Sequence, residues 1–118
     1  MTDRDSRIQR EIEHGNFLAH SGAEDIWNWG SPAGKARWQR RASMLSSGIS
    51  PGMDVLEIGC GTGLLTAHLA SAGARVIAVD ISGELLEIAR QHLRDKTVVF
   101  AVENAYDMSF PDSSFDAV

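Results

Sequence analysis

Val55-Leu56-Glu57-Ile58-Gly59-Cys60-Gly61-Thr62-Gly63 is the stretch whose reading decides the fold. A short apolar run ends near a carboxylate, and three glycines then follow at alternate positions. Residues 54–58 read as a short, buried strand. Residues 63–72 read as a helix with Leu65, Leu69 and Ala72 on one face and Gly73 as its stop. A turn from strand to helix built on glycines tolerates positive φ and lets a ligand approach the backbone. The helix N-terminus offers unpaired N–H groups to an anion such as a carboxylate. A tight turn without a ligand is the plain alternative.

Working outward, strand and helix patterns alternate. Residues 75–79 are mostly β-branched or small and read as a second strand. Residues 82–94 read as a helix, with Ser82 as N-cap and Leu85, Ala89 and Leu93 facing inward. Residues 97–102 form a third strand, and 115–118 open a fourth. Such a series implies a parallel sheet with crossover helices. Right-handed crossovers give the strand order 3-2-1, the first half of a doubly wound α/β sheet. Ligands of such sheets sit beyond the strand carboxyl ends. The loops there are 59–63, 80–82 and 103–106.

Upstream, residues 3–14 fit a short surface helix ended by Gly15. Residues 21–30 read as a loop carrying Trp27 and Trp29. Ser31-Pro32 reads as an N-cap with proline at the first helical position, opening a helix to about residue 47. Trp38, Ala42 and Leu45 share one face of it. Gly48 and Pro51-Gly52 end this part. The division expected is a helical leader or cap, 1–50, followed by a ligand-binding α/β domain, 51–118.

Composition narrows the function. The net charge of −5 argues against a general nucleic-acid partner, which needs a basic face. The single cysteine, Cys60, allows no internal disulfide and no cysteine-rich metal site. His14, His20, His68 and His92 are scattered, so no metal is expected. The charged N-terminus is unlike a secretory signal, and no apolar run approaches the roughly 18 residues that cross a bilayer. The expectation is a cytoplasmic protein with no membrane partner.

Spacing separates two classes of ligand. A dinucleotide fingerprint, G-x-G-x-x-G, would put its third glycine at position 64, which is Leu64. The acid at Glu57 is also unlike a dinucleotide strand end. Asp80 follows the second strand, where a carboxylate can accept two hydrogen bonds from a ribose diol. Its plain alternative is an acid complementing the dipole of the following helix.

The stretch from Val55 to Gly63 resembles motif I of the class I S-adenosylmethionine-dependent methyltransferases. The resemblance implies a Rossmann-like fold, with the chain corresponding to its N-terminal half, and S-adenosylmethionine as cofactor. It implies that Gly59, Cys60, Gly61 and Gly63 line the methionine part, that Glu57 orients the amino group, and that Asp80 binds ribose. Ile81 would pack on the adenine. Cys60 stands at a variable small position, an inert thiol rather than a nucleophile. Phe110-Pro111-Asp112-Ser113-Ser114-Phe115-Asp116-Ala117-Val118 is similar to a further family segment. Its front departs from the pattern, with Glu103 at a usual glycine and Asn104 at a usual aspartate. Asn104 and Ala105 would meet the adenine, Asn104 through one neutral acceptor; otherwise Asn104 is a turn former.

The leader resembles that of some small-molecule members of the family. Trp27 or Trp29 is then expected near the sulfonium, with cation–π attraction as the motive. An arginine of the leader helix would reach the methionine carboxylate. The alternative has Trp38 in the core and the arginines on a solvated face. The implied activity is methyl transfer to a small-molecule acceptor. A cofactor-binding module without transferase activity and a nicotinamide-dependent oxidoreductase are the alternatives. Any general base would lie at or after the fourth strand. An uncovered first strand is expected to belong to a longer protein or to pair in a homo-oligomer.

Overall fold

The computed structural model describes residues 2–94 and 96–118. Three parallel strands, β1 (Asp54–Ile58), β2 (Arg75–Asp80) and β3 (Val98–Val102), form one sheet in the order β1-β2-β3. Asp54 pairs with Arg75 and Val76 with Val98 at the starts of the two ladders. The fourth strand is present as its first contact. Ala117 bridges Val55 in parallel, and the Leu56 amide donates to the Ala117 carbonyl at 3.0 Å.

The crossovers are α4 (Leu64–Ser71) and α5 (Gly83–His92). One core joins Val55, Val76 and Ala78 of the sheet to Leu69 of α4 and Leu86 of α5, with Val98 and Phe100 packed against it. The inward face of α5 is as expected, since Leu85, Ala89 and Leu93 are all buried. A fully buried leucine stabilises by about 2 kcal/mol relative to an exposed one, so this stripe anchors the helix.

The leader folds differently from its expectation. Helix α1 runs from Asp3 to Ser21, straight through Gly15, and ends at Gly22 in the left-handed conformation. Its start is fixed by Thr2 and Asp5, which cap each other reciprocally. Gly15 marks a close approach rather than a stop. A methyl group there would come within 2.6 Å of Ser82 Cβ, so only glycine lets α1 lie on the N-terminus of α5. The fully buried Ser82 donates from Oγ to Asn16 Oδ1 at 2.8 Å and accepts from the Leu85 amide. Leu18 of α1 packs with Ala23 and Leu85 in a second, smaller core.

Within the expected loop lies a single helical turn, α2 (Ala23–Ile26). Helix α3 (Pro32–Ser46) starts as expected, with Ser31 Oγ accepting from the Gly34 amide at 3.0 Å. Its inward face is narrower than the periodicity suggests: Ala42 is buried, whereas Leu45 is exposed.

Candidate cofactor site

All three loops after the strands meet at one end of the sheet, and backbone hydrogen bonds join them. The Gly59 and Cys60 amides donate to the Val79 carbonyl at 2.8 and 3.1 Å, pulling the glycine loop over β2. Asp80 then ties two loops together: Oδ2 accepts from the Gly61 amide and Oδ1 from the Ser82 amide, each at 2.9 Å. The Glu103 amide donates to the Asp80 carbonyl at 3.2 Å and brings in the third loop. The helix-start reading of Asp80 describes these bonds. The side chain supports the start of α5, and it also faces a cavity.

That cavity, of about 420 Å³, is lined by Asp80, Ile81, Ala105 and Tyr106 on one side and by Ile8, Glu11, His14 and Leu18 of α1 on the other. A second cavity, of about 360 Å³, is lined by Glu57, Cys60, Thr62, Trp29, Trp38, Arg41 and Leu45. Trp27, Ile58, Gly59 and Gly61 border both. The Trp27 ring lies against Gly61, where a methyl group would meet Cη2 at 3.1 Å. The glycine loop and this indole thus stand between the two cavities.

Glu57 is the electrostatically unusual group. Burial raises its carboxyl to about 7, and the nearby Asp80 charge adds to the rise. The fully buried Thr66 hydroxyl, donating to Glu57 Oε2 at 2.5 Å, opposes the rise. Cys60 is buried, and burial with Glu57 and Asp80 nearby lifts its thiol above the ordinary range. A thiol held protonated is a poor nucleophile, which agrees with an inert role.

Of the expected site residues, Glu57, Gly59, Cys60, Gly61, Asp80, Ile81 and Ala105 border these cavities. Gly63 and Asn104 do not. Gly63 caps α4 at φ +89°, and a methyl group on it would lie 2.8 Å from Leu93 Cδ1 and 3.3 Å from Ala89 Cβ. Its place is close packing of the start of α4 against α5. Asn104 Oδ1 accepts from the Tyr106 amide at 3.0 Å, so its acceptor is used inside its own turn. The turn-former reading describes it.

Sequence reasoning missed the α1 wall. Ile8, Glu11, Gly15 and Leu18 recur at helical spacing along one face, a signal lost once the helix is stopped at Gly15. Leu64, Leu65 and Thr62 were also missed. Thr62 donates to Glu24 Oε1 at 3.1 Å, linking the glycine loop to α2. Among the described residues no cluster of His, Cys, Asp or Glu is arranged to hold a metal ion.

A parallel α/β sheet whose strand ends bear an acid on β1, an acid on β2 and a glycine loop between them defines a nucleoside-cofactor cleft. The profile of the methyltransferase-domain family matches residues 55–118, and the chain belongs to that family. S-adenosylmethionine is the cofactor this membership brings. The chain is 36% identical over 115 residues to a ubiquinone/menaquinone biosynthesis C-methyltransferase of Shewanella sp., covering 92% of this chain and 46% of that protein. It is 42% identical over 84 residues to a demethylmenaquinone methyltransferase of Tropheryma whipplei, covering 70% of this chain and 34% of that one. The crystal structure of a SAM-dependent methyltransferase from Methanosarcina mazei superposes with a TM-score of 0.57 at 35% identity, over 63% of this chain and 39% of that one. The chain thus spans between a third and a half of the length of these relatives.

Proposed function

We propose that this chain forms the cofactor half of an enzyme that transfers a methyl group from S-adenosylmethionine to a small, planar acceptor of the quinone class. One observation carries the reading: Glu57 and Asp80 border two adjacent cavities that share Trp27 and the glycine loop, one walled by tryptophans and the other by Ile81 and Ala105. The donor set suits the cofactor. Asp80 keeps lone pairs beyond its two amide bonds for a ribose diol. Ile81 and Ala105 give the adenine an apolar wall. Glu57 faces the amino group, and Arg41 the carboxylate.

Bound there, the cofactor supplies an electrophilic methyl group on a sulfonium. The chain's own residues orient and shield. The amide-held Asp80 fixes the nucleoside, so less motion remains to be lost before reaction. Trp27 and Trp29 exclude water and offer π faces to positive charge. The acceptor class rests on the quinone substrates for which the Shewanella and Tropheryma relatives are named and on the aromatic walls of Trp29 and Trp38.

Calorimetric titration tests the cofactor part. S-adenosylmethionine and S-adenosylhomocysteine are expected to bind and NAD not to; NAD binding alone would reverse the assignment. Incubation with S-adenosylmethionine and a reduced demethylated quinone, followed by mass spectrometry, tests the acceptor. S-adenosylhomocysteine formed only with acceptors outside the quinone class would reject it.

A further inference from the structure

No aspartate or glutamate lies between Asp25 and Asp54, whereas Lys35, Arg37, Arg40 and Arg41 all do. In a chain of net charge −5 this makes α3 a local basic patch. Among the described residues none of these cations has an acidic partner within ion-pair distance. Arg37 and Arg41 instead lie over the Trp29 ring, at 5.9 and 5.6 Å from its centroid. Beside them are two exposed apolar side chains, Met44 at 69% and Leu45 at 53%. A shallow cavity of about 370 Å³ runs among these groups.

Exposed aliphatic groups and a half-buried indole flanked by arginines, with no acid among them, form the composition of a helix that lies in a lipid interface. We propose that this face of α3 docks on an anionic lipid bilayer, Arg37 and Arg40 at the headgroup phosphates and Met44 and Leu45 in the interfacial layer. The apolar exposure favours lipid over a nucleic acid or acidic protein, where charge alone would serve. The arginine–indole stacking holds two of the cations beside the apolar groups. No described helix is long and apolar enough to cross a membrane, so the contact is peripheral. The expectation of no membrane partner came from the length of apolar runs, a criterion blind to a surface face. Trp29, Arg41 and Leu45 also border the cavity that holds Glu57. On the methyl-transfer reading above, an acceptor dissolved in the bilayer would meet the site at its own mouth.

Flotation of the chain with vesicles of phosphatidylcholine, with and without phosphatidylglycerol, is the test. Binding is expected only with phosphatidylglycerol, and raised salt weakens it. The R37Q/R40Q variant is expected to lose roughly fivefold in partitioning per charge removed. Met44→Ser is expected to weaken binding with the charges intact. Equal flotation with both vesicle types, or wild-type binding by R37Q/R40Q, overturns the proposal. So does retention on heparin or RNA without vesicle binding. If R37Q/R40Q loses its helical circular dichroism, Met44→Ser decides, and unchanged vesicle binding rejects the proposal. Vesicle binding is measured without cofactor and cofactor binding without vesicles, so either reading can fail alone.

Discussion

Two carboxylates end adjacent strands of one sheet, yet they are held in opposite ways. Asp80 accepts two backbone amides, both from loops that need a tie. Glu57 is half-buried beside it with the Thr66 hydroxyl as its donor, and its carboxyl is pushed up to about 7. The first is a finished acceptor, oriented before any ligand arrives. The second is a charge kept partly suppressed, which becomes favourable when a cation enters. On the function proposed above, one cleft would combine a rigid neutral-hydroxyl reader with a site that selects positive charge.

The largest break in this comparison is Asp80→Ala. Cofactor affinity is expected to fall on the order of a hundredfold. The orphaned Gly61 and Ser82 amides should also cost about 1–3 kcal/mol of stability, measured by urea unfolding. Affinity lost with stability intact would show that Asp80 does not tie the loops.

Glu57→Gln comes next, and its signature is pH. In the wild type, cofactor affinity should fall as pH drops through about 7, because protonation removes the charge that the ammonium group meets. The variant should bind roughly tenfold more weakly at pH 8 and show a flatter profile. Stability should move the other way. The folded, ligand-free chain holds the Glu57 proton more tightly than the unfolded chain does. Its contribution is therefore full below the ordinary carboxylate value and is lost as pH rises through about 7. Thermal melts across this range check the sign, and Glu57→Gln should remove this component.

Smaller effects sharpen the boundary between the two halves of the cleft. Trp27→Ala is expected to weaken cofactor binding several-fold, on the scale of a lost cation–π contact. Unchanged affinity would place the indole outside the site. Thr66→Val keeps the side-chain shape but removes the hydroxyl that favours the Glu57 anion. The midpoint of the affinity–pH curve should then move upward, with little change at alkaline pH.

How much of this was readable from residue order divides along the same line as the architecture. Strand β1 and the apolar stripe of α5 were legible because their signals are local: a short β-branched or apolar run, and leucines at helical spacing. Asp80 was legible because strand, acid and serine cap follow one another directly. Gly15 was misread as a stop, and the packing of Gly63 went unseen, for one shared reason. Each glycine has a local meaning, as stop or ligand loop. Ser82 is distant in sequence from Gly15, and Leu93 from Gly63, so these contacts appear only in three dimensions. Asn104 shows the reverse, a distant role assigned where a local hydrogen bond to Tyr106 prevails. The α1 wall of the cleft failed with Gly15, since a helix stopped there cannot carry Leu18.

The contact between β1 and the end of the chain bears on the order of assembly. Strand β1 meets β2 across one helical crossover, and β2 meets β3 across another. The Asp54 amide, however, is satisfied by Asp116 across a separation of 62 residues. Closing so long a loop costs more chain entropy than joining neighbours in sequence. Contacts of high separation also form slowly. The β1-β2-β3 unit and its glycine loop should therefore assemble first, and the Ala117 bridge should form last and fray first. In hydrogen exchange, the Leu56 amide should lose protection before the amides of β2, although both lie in the same sheet.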